Sequence, residues 1–150
     1  DHHNVFLFPY LNVPYLHEKK MYFDQQGPIK PINLIVPDGT WKQARRIYRR
    51  NKILHQVPLV QLSNSLISSF YLRTSPHATN LCTFEAAAYG LKIIDPSLNL
   101  EKAFQPFIKF SQLILRERAM MKELDQLNTT WNSSLNENLK GFQGHHQHCH

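Results

Sequence analysis

The chain has 150 residues, 42% of them hydrophobic, which suits a single domain with a buried core and excludes a disordered or fibrous polypeptide. No apolar run approaches the roughly 20 residues that cross a bilayer, no signal-peptide pattern opens the chain, and Cys82 and Cys149 make no disulfide framework, so the expectation is a cytoplasmic protein with no membrane partner. Lys and Arg number 17 against 11 Asp and Glu, with nine His besides, a balance that favours an anionic partner without saying which.

Asp1 is no initiator, so a natural N-terminus is expected upstream of it. Val5-Phe6-Leu7-Phe8, closed by Pro9, predicts a strand, and Ile32 to Val36 between two prolines predicts a second, buried and parallel. Asp38-Gly39-Thr40-Trp41 then leads into a helical pattern running to Asn51. Thr40 with Gln43 three residues on forms a capping box. Trp41, Ala44 and Tyr48 share the core-facing side of this helix, and Lys42, Arg45, Arg46 and Arg49 the opposite side. Pro58 to Leu62 predicts a third strand. A polar stretch from Ser63 to Ser69 leads into Phe70-Tyr71-Leu72-Arg73 and a loop through Pro76 and Asn80.

Thr83 to Leu91 predicts a short helix ending near Gly90. Asp95-Pro96-Ser97 opens a long helical pattern from Leu98 to Leu127, with a kink or restart at Pro106. From Asn128 the chain turns polar and then His-rich, so residues 1–127 read as the domain and 128–150 as a tail. Two Asn-x-Ser/Thr triplets, at Asn128 and Asn132, carry meaning only in a secreted protein. Alternation of strands and helices predicts an α/β fold with a mainly parallel sheet flanked by helices. No internal repeat and no linker is visible.

The stretch Ile35-Val36-Pro37-Asp38-Gly39-Thr40-Trp41-Lys42-Gln43-Ala44-Arg45-Arg46 resembles the signature of the DTW-domain family. Ser69 to Arg73, then Leu81-Cys82-Thr83-Phe84-Glu85-Ala86, resembles a second block of that family, and Leu7-Phe8-Pro9 its leading strand and turn. The likeness covers about residues 5 to 120 in order. It implies a fold related to the knotted SPOUT methyltransferases, with a C-terminal trefoil knot that no rule of chain topology would supply. It implies a tRNA-uridine aminocarboxypropyltransferase acting on tRNA rather than DNA, with S-adenosylmethionine as cofactor; between the dimer common among SPOUT proteins and a monomer, it favours the monomer. Two departures stand out. The upstream cysteine cluster common in the family does not occur within these residues, so it lies before Asp1 or this branch lacks it, and the family's usual Ser-Thr-x-Glu appears as Cys82-Thr83-Phe84-Glu85, where a thiol is a poorer helix cap than a hydroxyl.

The chemistry needs uracil N3 to lose its proton before attacking a carbon beside the sulfonium, a task for a carboxylate. Asp38 is the candidate catalytic residue, since it follows a strand at the edge where ligand clefts open and Gly39 beside it admits a close approach. On position alone, capping of the next helix with Thr40 is the commoner role; the resemblance reverses that. For cofactor binding the resemblance implies Thr40, Trp41, Leu59, Val60, Leu62, Tyr71, Leu72, Arg73, Leu81, Thr83 and Glu85. Trp41 serves equally as a packing anchor, and Arg73 as an ion-pair partner for Glu85. Lys42, Arg45, Arg46, Arg49, Arg50 and Lys52 present six cations and no acid, the pattern of a phosphate-binding RNA surface rather than a mixed-charge solvated face. Phe70 or Tyr71 would stack on an extruded base or pack in the core. His145, His146, His148, Cys149 and His150 lack the paired spacing of a structural zinc site, so no metal is expected. An rRNA aminocarboxypropyltransferase, a SPOUT-type RNA methyltransferase and a non-catalytic RNA-binding module remain the alternatives.

Overall fold

The computed structural model describes residues 2–8, 12–70, 81–117 and 124–144. The first apolar run forms β1 (His3–Leu7), followed by α1 (Leu16–Asp24), β2 (Ile32–Ile35), α2 (Trp41–Arg50), a 3-10 turn (Lys52–Gln56) and β3 (Leu59–Val60). Then come α3 (Thr83–Ile94), α4 (Leu100–Glu117) and α5 (Leu124–Gly144). The three strands make one parallel sheet in the order β2-β1-β3, as an α/β fold requires. Val5 pairs with Leu34 on one side of β1, and Leu7 with Val60 on the other.

β1 is the middle strand and is covered on both faces, which explains its unbroken apolar run. Val5 and Leu7 point to one face, where Leu16, Val60, Phe23, Leu34, Ala86 and Ile93 pack with them. Phe6 and Phe8 point to the other, against Ala44 and Tyr48 of α2 and Leu54 and Val57 after it. The Tyr48 ring lies 5.7 Å from that of Phe6 and 6.1 Å from that of Phe8. Each such large side chain removed from water contributes about 1.5–3 kcal/mol.

The three predicted strands and helix α2 appear within a residue or two of their expected ends, and the other elements differ. Helix α1 has no counterpart in the apolar pattern, because Leu16 is its one fully buried residue. Its start is secured locally, where the Tyr15 N–H donates to Glu18 Oε2 at 2.8 Å. Helix α3 runs on past Gly90 to Ile94. That glycine is no terminator; an added Cβ would lie 2.5 Å from Leu34 Cδ2, so its missing side chain lets the helix close on β2. Helix α4 passes through Pro106 as one element, so of the kink or restart expected there the restart does not occur, and the pattern read from Leu98 to Leu127 is divided between α4, which ends at Glu117, and α5, which starts at Leu124.

By its internal contacts the chain forms two compact units, Asp1–Ser63 with Thr83–Leu98, and Asn64–Cys82 with Asn99–His150. The first holds the sheet with α1, α2 and α3. In the second, Leu100, Phe104 and Leu115 of α4 are buried, as are Trp131, Ser134, Leu135 and Asn138 of α5. Residues 128–144, read from their polarity as a tail, thus continue helix α5. Its buried stripe alternates apolar with polar residues, and Asn138 Nδ2 donates to the Ile67 carbonyl at 3.4 Å. Among the described residues no helix is long and apolar enough to cross a membrane.

Candidate functional site

All three strands point the same way, so the carboxyl ends of β1, β2 and β3 share one edge of the sheet, the edge at which α/β proteins hold ligands. The turn after β2 carries Asp38. Its geometry separates two roles that position alone leaves confounded. Helix α2 is capped by Thr40 and Gln43: the Thr40 N–H and hydroxyl donate to Gln43 Oε1 at 2.7 and 2.9 Å, and the Gln43 N–H returns to Thr40 Oγ1 at 3.3 Å. The exposed Asp38 carboxylate instead accepts the Thr83 hydroxyl, Oγ1 to Oδ1, at 2.7 Å.

Gly39, between them, has φ +119°, a conformation that side-chain-bearing residues avoid. A Cβ there would also meet Gln43 Oε1 at 2.8 Å. The glycine is therefore demanded by the cap, which is a different reason from the ligand approach read from its position.

Of the residues expected at a cofactor site, Thr40 and Thr83 stand at the starts of α2 and α3, and Glu85 is fully buried one residue beyond Phe84 on the first turn of α3. Leu59 packs on the Phe6 side of the sheet and Leu62 on the Leu7 side. The Val60 side chain is wholly within the core, and its carbonyl accepts the Phe8 N–H at 2.8 Å. Leu81 is half-buried in the second unit. Tyr71, Leu72 and Arg73, the Trp41 side chain and the His-rich stretch from His145 lie outside the described residues. Phe70 is described: its ring packs 5.3 Å from that of Phe107.

Lys42, Arg45, Arg46, Arg49, Arg50 and Lys52 are all exposed. Among the described residues the ion pair is Lys20–Asp24, so none of these six cations is neutralised by a carboxylate. Helix α2, which carries the first five, begins three residues after Asp38, and Lys52 follows in the 3-10 turn, which puts the carboxylate at the head of a positively charged stripe. Among the described residues no group of three His, Cys, Asp or Glu could hold a metal ion.

One residue of this edge escapes sequence reasoning. The Gln61 N–H donates to the Pro14 carbonyl at 3.0 Å, its carbonyl accepts the Leu16 N–H at 2.8 Å, and its side chain donates to the Val13 carbonyl at 2.8 Å. It ties the segment entering α1 to the end of β3, across a separation too long for any local pattern to reveal.

The geometry is thus that of a parallel α/β unit with an acid in the turn at the carboxyl edge of a strand, followed by a cationic helix. The DTW domain matches residues 1–115, and the chain belongs to that family. It is 36% identical over 73 residues to tRNA-uridine aminocarboxypropyltransferase 2 of Macaca fascicularis, which covers 49% of this chain and 24% of that protein. The relative of the same name in Mus musculus is 33% identical over 95 residues, 63% of this chain and 30% of the mouse protein. That in Drosophila melanogaster is 38% identical over 65 residues, 43% and 26%. The chain thus aligns with about a quarter to a third of the length of these relatives. No solved structure matches it.

Proposed function

We propose that this chain transfers the 3-amino-3-carboxypropyl group of S-adenosylmethionine to N3 of a uridine in tRNA. The observation that carries the reading is the exposed Asp38 carboxylate, left out of the helix cap and standing at the head of six unneutralised cations. The names of the relatives supply the reaction and the nucleic acid. An anionic oxygen in an open turn also suits a sulfonium.

In this reading α2 holds tRNA phosphates, and the uridine is presented at the Thr40 end of the helix, next to Asp38. Asp38 accepts the N3 proton as general base. The nitrogen pair so released forms the N3–carbon bond to the amino-acid arm while the carbon–sulfur bond breaks, its electrons leaving with sulfur, and the proton passes from Asp38 to water. S-adenosylmethionine supplies the sulfonium whose attached carbon is electrophilic. The same reading makes the domain SPOUT-like, with a C-terminal trefoil knot, and places a monomeric enzyme in the cytoplasm.

Incubation of the chain with tRNA and S-adenosylmethionine labelled separately in the amino-acid arm and the methyl group tests this, with mass spectrometry of the nucleosides. Label from the arm on uridine is the expected result. Methyl label, or binding of RNA without transfer, overturns it. Asp38→Asn should bind the donor by calorimetry yet lose transfer; turnover near the wild-type rate removes Asp38 from the chemistry.

A further inference from the structure

An exposed acid in an open turn ordinarily samples several rotamers, and the turn after β2 contains nothing that would fix this one. The capping groups of α2 are engaged with each other. What holds Asp38 comes from 45 residues away, the Thr83 hydroxyl at 2.7 Å. Thr83 is the first residue of α3, and it is β-branched, so its hydroxyl direction is restricted about the first side-chain bond.

The helix is itself seated on β2, the strand that leads into the turn bearing the acid. Gly90, seven residues further along α3, approaches Leu34 so closely that an added Cβ would stand 2.5 Å from Cδ2. Ala86 and Ile93 of α3 pack into the same apolar cluster as Leu34. Hydroxyl and carboxylate are therefore borne by two elements in direct contact within one compact unit. A hydroxyl has a single proton to give, and here it goes to one of the two carboxylate oxygens.

We infer that Thr83 is a positioning residue: its hydroxyl fixes Oδ1 of Asp38 and thereby leaves Oδ2 as the oxygen that meets the substrate N–H. This rests on the transferase reading of Asp38, and it gives Thr83 a role through the acid instead of direct contact with the donor. Geometry, not charge, is what the hydroxyl contributes, so its loss falls on the chemical step.

The test compares Thr83→Val, which keeps the shape and removes the hydroxyl, with Thr83→Ser, which keeps the hydroxyl, in the full chain. Positioned bases contribute about 10²–10⁴-fold, so a misaligned one should cost less than the whole. Thr83→Val is expected to lower kcat by about 10- to 100-fold while KM for tRNA and donor stays within about twofold. Thr83→Ser should stay within about threefold of wild type in kcat. In substrate-free protein, the 13C carboxyl resonance of Asp38 should move in Thr83→Val and hold its place in Thr83→Ser. Unchanged kcat in Thr83→Val, equal losses in both variants, or an identical carboxyl resonance in all three proteins overturns the inference. A wild-type chain that transfers nothing fails the functional reading instead, and the carboxyl resonance then decides the role of Thr83 by itself.

Discussion

Replacing Arg45, Arg46 and Arg49 with glutamine tests whether α2 lies against nucleic acid. Glutamine is a good helix former, and all three side chains are exposed, so the helix and its packing through Ala44 and Tyr48 should survive, as far-UV circular dichroism would report. From Lys42 to Arg50 the helix advances about 12 Å, which spans about three phosphates of one strand, at 3.4 Å each along a duplex axis. Contact with both strands would raise this to at most about six, one per cation. Each phosphate neutralised contributes about −0.9 to the slope of log affinity against log salt, so the wild-type slope should fall between about −3 and −5. Between 50 and 200 mM salt that is a loss of between about 60-fold and 10³-fold in affinity. In the triple variant the slope should shrink by about 2 to 3, measured by fluorescence anisotropy of labelled tRNA across the salt series. Parallel lines for variant and wild type would show that the stripe faces solvent, and the reasoning would fail.

Three further outcomes follow from the geometry. Gly90→Ala should cost about 1–3 kcal/mol through overpacking against Leu34, seen as a lowered Tm, and adding Leu34→Ala should recover part of that loss. Leu135→Ala, at a site only 4% exposed, should cost about 2–5 kcal/mol and abolish hydrogen-exchange protection along α5; a neutral effect would return that segment to the status of a tail. The Asp95 carboxyl is held below the ordinary carboxylate range by the Ser97 hydroxyl and N–H, which donate to it at 2.6 and 2.9 Å. Its contribution to stability is therefore present above about pH 3.9, the value of an unstructured Asp, and disappears as the pH falls through the lower folded value. Ser97→Ala should move its carboxyl titration upward when followed by NMR.

The sheet was legible because its signals are local or periodic: short apolar runs bounded by prolines, and a Thr–Gln pair at the right spacing before α2. The basic stripe was legible for the same reason, since one helix carries five of its six cations. The bond between Asp38 and Thr83 was not, because nothing near either residue points to the other. Gly90 shows the limit from the opposite side. A glycine within a helical pattern reads as a stop, and only the presence of Leu34 beneath it turns that reading into close packing. Helix α5 was missed because Ser134 and Asn138 occupy buried positions that an apolar pattern leaves blank. Gln61 was missed because its partners lie before α1.

The placement of β1 has a consequence for synthesis of the chain. It leaves the ribosome before the other two strands, yet its neighbours on either flank arrive about 25 and 50 residues later, and among the described residues each of them pairs with β1. The most apolar segment must wait, with Phe6 and Phe8 uncovered, until Val60 and the helices that sheathe it have been made. Loop closure over such spans slows assembly and leaves a sticky strand open to the wrong company. A cell making this polypeptide has reason to keep a chaperone near that strand.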